Sequence, residues 1–492
     1  MQVLHGIGIL SLVWSWPACQ NARIADLPSV DDLGAPRGGA LARVLLHLHS
    51  PFSWDACDQK PELDRGECRQ NLLDALCENR IDLAFLTDHP DRMASTPIED
   101  LTLRGPDVDL VSDSNSGLLL GEVSSCRNTH RSWIAPGLEG TVMGLGMSIH
   151  LDSADQTGRE ELYSQSSAEW AQRLQSEAGA LAWMPHPESK SAQFIHDSGV
   201  QGLESFNLHA LLDPEIRHSS LRLAPLDSLF GVLGFAFDPF FDLNSDSMFL
   251  HFLQAPARFI ERWNEVIELR NSLGESMNFP AWGASDSHEY LFPQTGSDGR
   301  RLDVHARMTR LVVNHVWVTE RTPSSIRQAI QEGSGWLVFE SLGSPVGMDF
   351  SLQSTTQGQT YGPGQTLEVP AEQSIPGLGL TLTVTLPRVY RESTQREGRA
   401  EAPRLRVRVF HLSPGQTTEV VLQEAWDESV SETITLPGTY RAEVSMIPRH
   451  LRGVAAPYSE RALLEFPWIQ TNRIEVREAS SLPGVMRTRR RR

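Results

Sequence analysis

Leu46-His47-Leu48-His49-Ser50 closes the apolar run Val44–Leu48, and the fold is decided by how that run ends. On a strand, alternation puts His47 and His49 on one face, where both imidazoles can reach a single metal ion. Taken alone, the motif equally describes two ordinary polar strand residues. Later apolar runs end in the same chemistry. Ile81–Leu86 leads into Thr87-Asp88-His89, Leu118–Leu120 into Gly121-Glu122-Val123, and Ala180–Met184 into Pro185-His186-Pro187. Gly202-Leu203-Glu204-Ser205-Phe206-Asn207 and Gly283-Ala284-Ser285-Asp286-Ser287-His288 repeat it. If parallel strands close into a β/α barrel, their C-terminal ends share one mouth, and these side chains meet there.

Amphipathic stretches separate the runs, as expected for helices outside a parallel sheet. Cys68–Glu78 reads as a helix with Asp64 and Glu67 placed like a capping box, and Ser166–Ala178, Arg258–Leu273 and Pro323–Glu332 read as others, the last closed by Gly333. Polar insertions around Ala94–Ser116 and Phe292–His305 read as surface loops. After Gly343 helical periodicity gives way to β-rich runs between Pro, Gly and Ser turns: Leu380–Leu386, Leu405–Phe410, Thr418–Leu422 and Thr439–Ser445. That pattern predicts an antiparallel sandwich. The expected divisions are a signal at 1–19, a linker at 20–41, an α/β barrel at 42–342, an all-β sandwich at 345–478 and a disordered basic tail at 479–492.

The chain has 492 residues, enough for two to four domains, and its 43 basic and 62 acidic residues leave a net charge of −19. Such a balance argues against nucleic acid as a partner. No apolar run is long enough to span a bilayer. Val3–Trp16 followed by Pro17-Ala18-Cys19 resembles a bacterial lipoprotein signal, which makes an exported protein with a lipid anchor at Cys19 the expectation, against a cytoplasmic alternative. Cys57, Cys68, Cys77 and Cys126 then allow two disulfides in three pairings, or four buried thiols.

The motifs His47-Leu-His49, Thr87-Asp88-His89, Gly121-Glu122-Val123, Pro185-His186-Pro187 and Ser285-Asp286-Ser287-His288 resemble those of the polymerase-and-histidinol-phosphatase (PHP) family of metal-dependent hydrolases. Glu204, Asn207 and the Thr322-Pro323-Ser324 helix start resemble its carbaryl-hydrolase-like branch. The resemblance implies a distorted (β/α)7 barrel followed by a β-sandwich, with two or three zinc, manganese or iron ions. By this resemblance His47, His49, Glu122 and Asp286 hold one ion, with Glu122 bridging to a second that His186 also binds. His89, His288 and Asp55 hold a third, and His47, His49, Glu122, Asp286 and His288 carry the catalysis. Asp88 is expected to orient an imidazole, with Glu204 and Asn207 also behind the ligands. Thr141 stands where the family often has another histidine, which leaves the second ion weakly bound, absent, or completed by water or by His130 or His150 from nearby loops. Arg127 and Arg131 are weak candidates for an anionic substrate.

The implied activity is hydrolysis of a small-molecule phosphoester by a metal-activated hydroxide. Carbamate or carboxylic ester hydrolysis at the same site is one alternative, and a degenerate scaffold with a binding sandwich is another. An amidohydrolase-type barrel is disfavoured, because its bridging lysine has no counterpart: the chain's lysines are Lys60 and Lys190 alone.

Overall fold

The computed structural model describes residues 27–59, 65–127, 129–152, 155–224, 249–250, 252–296, 298–390, 401–452 and 463–478. The expected signal at 1–19, with Cys19, and the basic tail at 479–492 lie outside the described residues. The stretch expected as a linker is packed from Leu27 onward: Leu27, Val30 and Leu33 are buried.

Among the described residues eleven strands precede residue 340: β1 (Ala40–Leu48), β2 (Leu83–Asp88), β3 (Val108–Ser112), β4 (Leu119–Val123), β5 (Ser132–Leu138), β6 (Met143–Leu145), β7 (Leu181–Met184), β8 (Gly202–Asn207), β9 (Ala281–Ala284), β10 (Val313–Val318) and β11 (Gly335–Val338). β1, β2 and β5 are parallel neighbours. β6 pairs antiparallel with both β5 and β7, after which β7, β8 and β9 are again parallel. Past the end of β9 the chain returns to β1 through a parallel bridge between Ser287 and Leu48. There the Asp286 N–H donates to the His47 carbonyl, and the His49 N–H to that of Ser287. Seven strands thus follow one another back to the first. They are buried along almost their whole length, which explains why they read as unbroken apolar runs rather than alternating ones.

The helices follow from local signals. Ala168–Ser176 starts where the Ser167 hydroxyl accepts the Trp170 N–H. Pro323–Glu332 starts at Thr322 with Pro in its first turn, and ends at Gly333, whose φ of 81° suits glycine. Ala94–Ser116 does more than the expected loop, because β3 forms within it and pairs antiparallel with β4.

The change of character near residue 345 is not a break in the sheet. β10 pairs with β11, β11 pairs antiparallel with Phe466–Thr471, that strand pairs with Gly438–Ile447, and Gly438–Ile447 in turn pairs with Arg404–Leu412. A separate sheet of Gln359–Tyr361, Asp349–Ser354, Leu380–Thr385 and Val430–Ile434 lies opposite. Buried residues of both sheets, among them Leu352, Leu382, Val409 and Val444, share one apolar cluster with Leu337 and Phe339. On β1, buried Arg43 donates two hydrogen bonds to buried Glu340, at 2.9 and 3.0 Å.

Candidate metal centre

The strand ends converge as their spacing suggests. His47 lies near the end of β1 and His49 just past it, His89 follows β2, His186 follows β7, and Asp286 and His288 follow β9. His47 Nε2 and His49 Nε2 are 3.3 Å apart, and Asp286 Oδ1 is 3.4 Å from the first and 3.2 Å from the second. His186 Nε2 is 3.3 Å from the other Asp286 oxygen. Asp55 reaches His89 Nε2 at 2.8 Å and His288 Nε2 at 3.1 Å.

A third carboxylate among these imidazoles is that of Glu139. Its Oε1 lies 3.4 Å from His47 Nε2 and 3.1 Å from His186 Nε2, and its Oε2 lies 3.2 Å from both His49 Nε2 and His89 Nδ1. Glu122, expected in this place, is elsewhere: its carboxylate is 3.5 Å from the exposed guanidinium of Arg131. The reason is strand direction. β4 runs antiparallel to β5, so Glu122 stands opposite Trp133 near the start of β5, whereas Leu138 at the end of β5 lies beside Asp88. Five residues of strand, roughly 17 Å, separate the two positions. Arg131 lies at this far end beside Glu122, away from the cluster, and Arg127 is exposed. The signal that could have found it is Ile134-Ala135-Pro136-Gly137-Leu138-Glu139, a largely apolar stretch ending in a carboxylate.

Other expectations shift similarly. Asp88 orients no imidazole; it accepts the Ser50 N–H at 2.8 Å and the Ser50 hydroxyl at 2.5 Å, fixing the turn after β1. Glu204 faces His47 Nδ1 at 2.7 Å. Asn207 donates to Glu204 and to Asp286, at 3.1 and 3.2 Å. His130 contacts the Ile81 carbonyl and His150 that of Thr96, so neither substitutes at Thr141. Two partners had no sequence signal: Ser53, whose hydroxyl lies 3.1 Å from His49 Nδ1, and buried Glu188, 3.3 Å from His186 Nδ1. His288 Nδ1 is 2.8 Å from the Asp286 carbonyl. Four imidazoles therefore have Nδ1 engaged outside the cluster, which turns Nε2 inward as a lone-pair donor.

The donor set fits divalent ions. Nitrogen and oxygen ligands about 2.0–2.1 Å from a tetrahedral ion stand about 3.3 Å from one another, the spacing of His47, His49, Glu139 and Asp286. Asp286 Oδ1 is buried and makes no hydrogen bond although two imidazole nitrogens lie within 3.4 Å, as atoms aimed at a shared point rather than at each other do. His186 and Asp286 hold left-handed backbone at φ 49° and 48°, strain of the kind that concentrates at functional sites. Without an ion the cluster holds protons. Burial opposes charge on His47, but Asp286, Glu139 and Glu204 raise it to about 10. His49 and His186 are raised well above the usual imidazole range despite burial, by Asp286 and Glu139. Burial and the charge on His49 depress His288 to about 4. Burial pushes Glu139 and Asp286 up, yet the surrounding imidazoles, His47 foremost, hold both well below the carboxylate range.

Disulfides Cys57–Cys68 and Cys77–Cys126 resolve the open pairing and fit an oxidising compartment. Among the described residues no helix is long and apolar enough to cross a membrane.

No family model matches the chain, and no curated protein does. A solved structure from Bacteroides vulgatus, a two-domain protein containing a predicted PHP-like metal-dependent phosphoesterase, aligns over 89% of this chain and 98% of its own. Its identity is 15% and its TM-score 0.32, too low to bear on the site.

Proposed function

We propose that the protein is a metal-dependent hydrolase of the PHP type that acts as a phosphoesterase, with residues 42–342 as its barrel and 345–478 as an accessory sandwich. One observation carries this reading: Glu139 and Asp286 each place their two oxygens among different imidazoles at converging strand ends, which is how carboxylates bridge adjacent ions. His47, His49, Glu139 and Asp286 would hold one ion, His186 with further oxygens of Glu139 and Asp286 a second, and Asp55, His89 and His288 a third. Divalent ions in such a site acidify bound water and stabilise charge developing on a phosphoryl or carbonyl group.

The chain's own residues do the rest. Glu204, Glu188 and Ser53 fix the tautomers of His47, His186 and His49, so that no ring must turn before an ion is held. Asp88 pins Ser50 and with it the turn leading to Asp55. Trp54 is 46% exposed and stacks on His89 with ring centroids 5.6 Å apart, offering a flat apolar face to the organic part of a substrate. The two disulfides support a site outside the reducing cytosol, and export through the N-terminal signal belongs to the same proposal.

The test is metal analysis of the purified protein together with turnover of bis-p-nitrophenyl phosphate. At least two ions per chain are expected, with turnover abolished in Asp286→Asn while the fold is kept. Fewer than one tightly bound ion per chain, or full activity in that variant, would overturn the reading.

A further inference from the structure

His209 lies on the short helix Leu208–Leu212 after β8, a position that none of the motifs marks. Three observations tie it to the metal centre. First, one ring nitrogen of His209, one Asp286 oxygen and one His288 nitrogen lie within 4.8 Å of one another. Second, its Nδ1 is buried with no hydrogen-bond partner, which is costly for an imidazole with nothing to bind. Asp286, 2% exposed, carries the unpartnered Oδ1 in the same cluster. Third, the His209 and His288 rings are tilted at 56° with centroids 5.0 Å apart. Two imidazoles on one tetrahedral ion, each bound at about 2.0–2.1 Å, place their centroids about 5 Å apart.

The helix is held to the centre by its own cap. Asn207 accepts the Ala210 N–H at 2.9 Å through its side-chain oxygen, while its amide nitrogen donates to Asp286. Cap and ligand are thus one hydrogen-bonded unit, and His209 sits one residue past the first helical position with little freedom to turn away.

We propose that His209 is a further metal ligand, joining Asp286 at the ion assigned above to Asp55, His89 and His288. The inference rests on the metal-centre reading above. It makes the residue a ligand contributed by the β8 helix.

The full chain is prepared as wild type, His209→Ala and His209→Cys, and metal retention is measured by chelator competition and elemental analysis. His209→Ala is expected to hold its weakest ion at least a hundredfold less tightly, with the remaining ions unaffected. In the cobalt(II)-loaded His209→Cys protein a thiolate-to-cobalt charge-transfer band is expected, absent from wild type. Unchanged affinities in His209→Ala overturn the proposal. Ion loss in that variant without the band in His209→Cys assigns His209 a purely structural role and overturns it too. A wild type that binds no ion removes the metal-centre reading itself, whereas a wild type holding its ions beside an unaffected His209→Ala removes only this inference.

Discussion

Replacing Glu139 by Gln separates the site seen in the structure from the one the strand-end motifs suggest. The side chain is 10% exposed and its two oxygens lie 3.1–3.4 Å from four imidazole nitrogens. An amide of the same shape keeps the packing and removes the charge. Two ions would each lose a bond to an anionic oxygen. With charge-assisted contacts contributing about 1.5–3 kcal/mol each, each of the two ions is held roughly 10- to 10²-fold less tightly. Glu122→Gln is the matched control: its carboxylate is 3.5 Å from an Arg131 side chain that is 73% exposed, a surface pair worth about 0–1 kcal/mol. The assay is dialysis against graded chelator followed by metal analysis and turnover of an aryl phosphodiester. Glu139→Gln should lose ions and activity together while Glu122→Gln matches wild type. The reasoning fails if Glu139→Gln keeps its ions, or if Glu122→Gln sheds them.

Three further outcomes are expected. Burial lifts the Asp82 carboxyl to about 7 from an ordinary 3.8, against the Arg43 N–H that it accepts at 2.8 Å. A raised value contributes stability that is complete below about pH 3.8 and lost as pH rises through 7, so Asp82→Asn should stabilise the fold by about 1–4 kcal/mol at pH 8 and by less at pH 5, read by denaturant unfolding at both. Glu340→Gln leaves the buried Arg43 guanidinium without its charge partner and should cost about 3–5 kcal/mol in the same measurement. The Cys57–Cys68 disulfide ties the Asp55 turn to helix Arg65–Glu78, and Cys57 and Asp58 N–H groups donate to the carbonyls of His288 and Glu289. Replacing both cysteines by serine should lower stability by about 2–4 kcal/mol and weaken retention of the ion assigned to Asp55, His89 and His288 before the others, as metal analysis after dialysis would show.

That apolar strands end in ligand-type residues follows from the sequence alone, because fully buried strands must be apolar along their length and a polar group at their end marks where water or an ion is reached. His47, His49, His89, His186, Asp286 and His288 are legible on that ground, as is the helix from Pro323 to Gly333 from its cap and its glycine. Strand direction was not legible. The runs ending at Glu122 and Glu139 carry the same apolar-then-carboxylate pattern, and hydrogen-bond pairing with β5 alone decides that one points away from the cluster and the other into it. The contacts of Ser53, Glu188 and His209 were hidden for a related reason: each sits in a loop or first helical turn beyond a strand, where no periodicity announces orientation. The cysteine pairing, the joining of β11 to Phe466–Thr471 and the placement of Asp55 between His89 and His288 likewise belong to the tertiary structure, since each brings together residues that local sequence leaves free to lie anywhere.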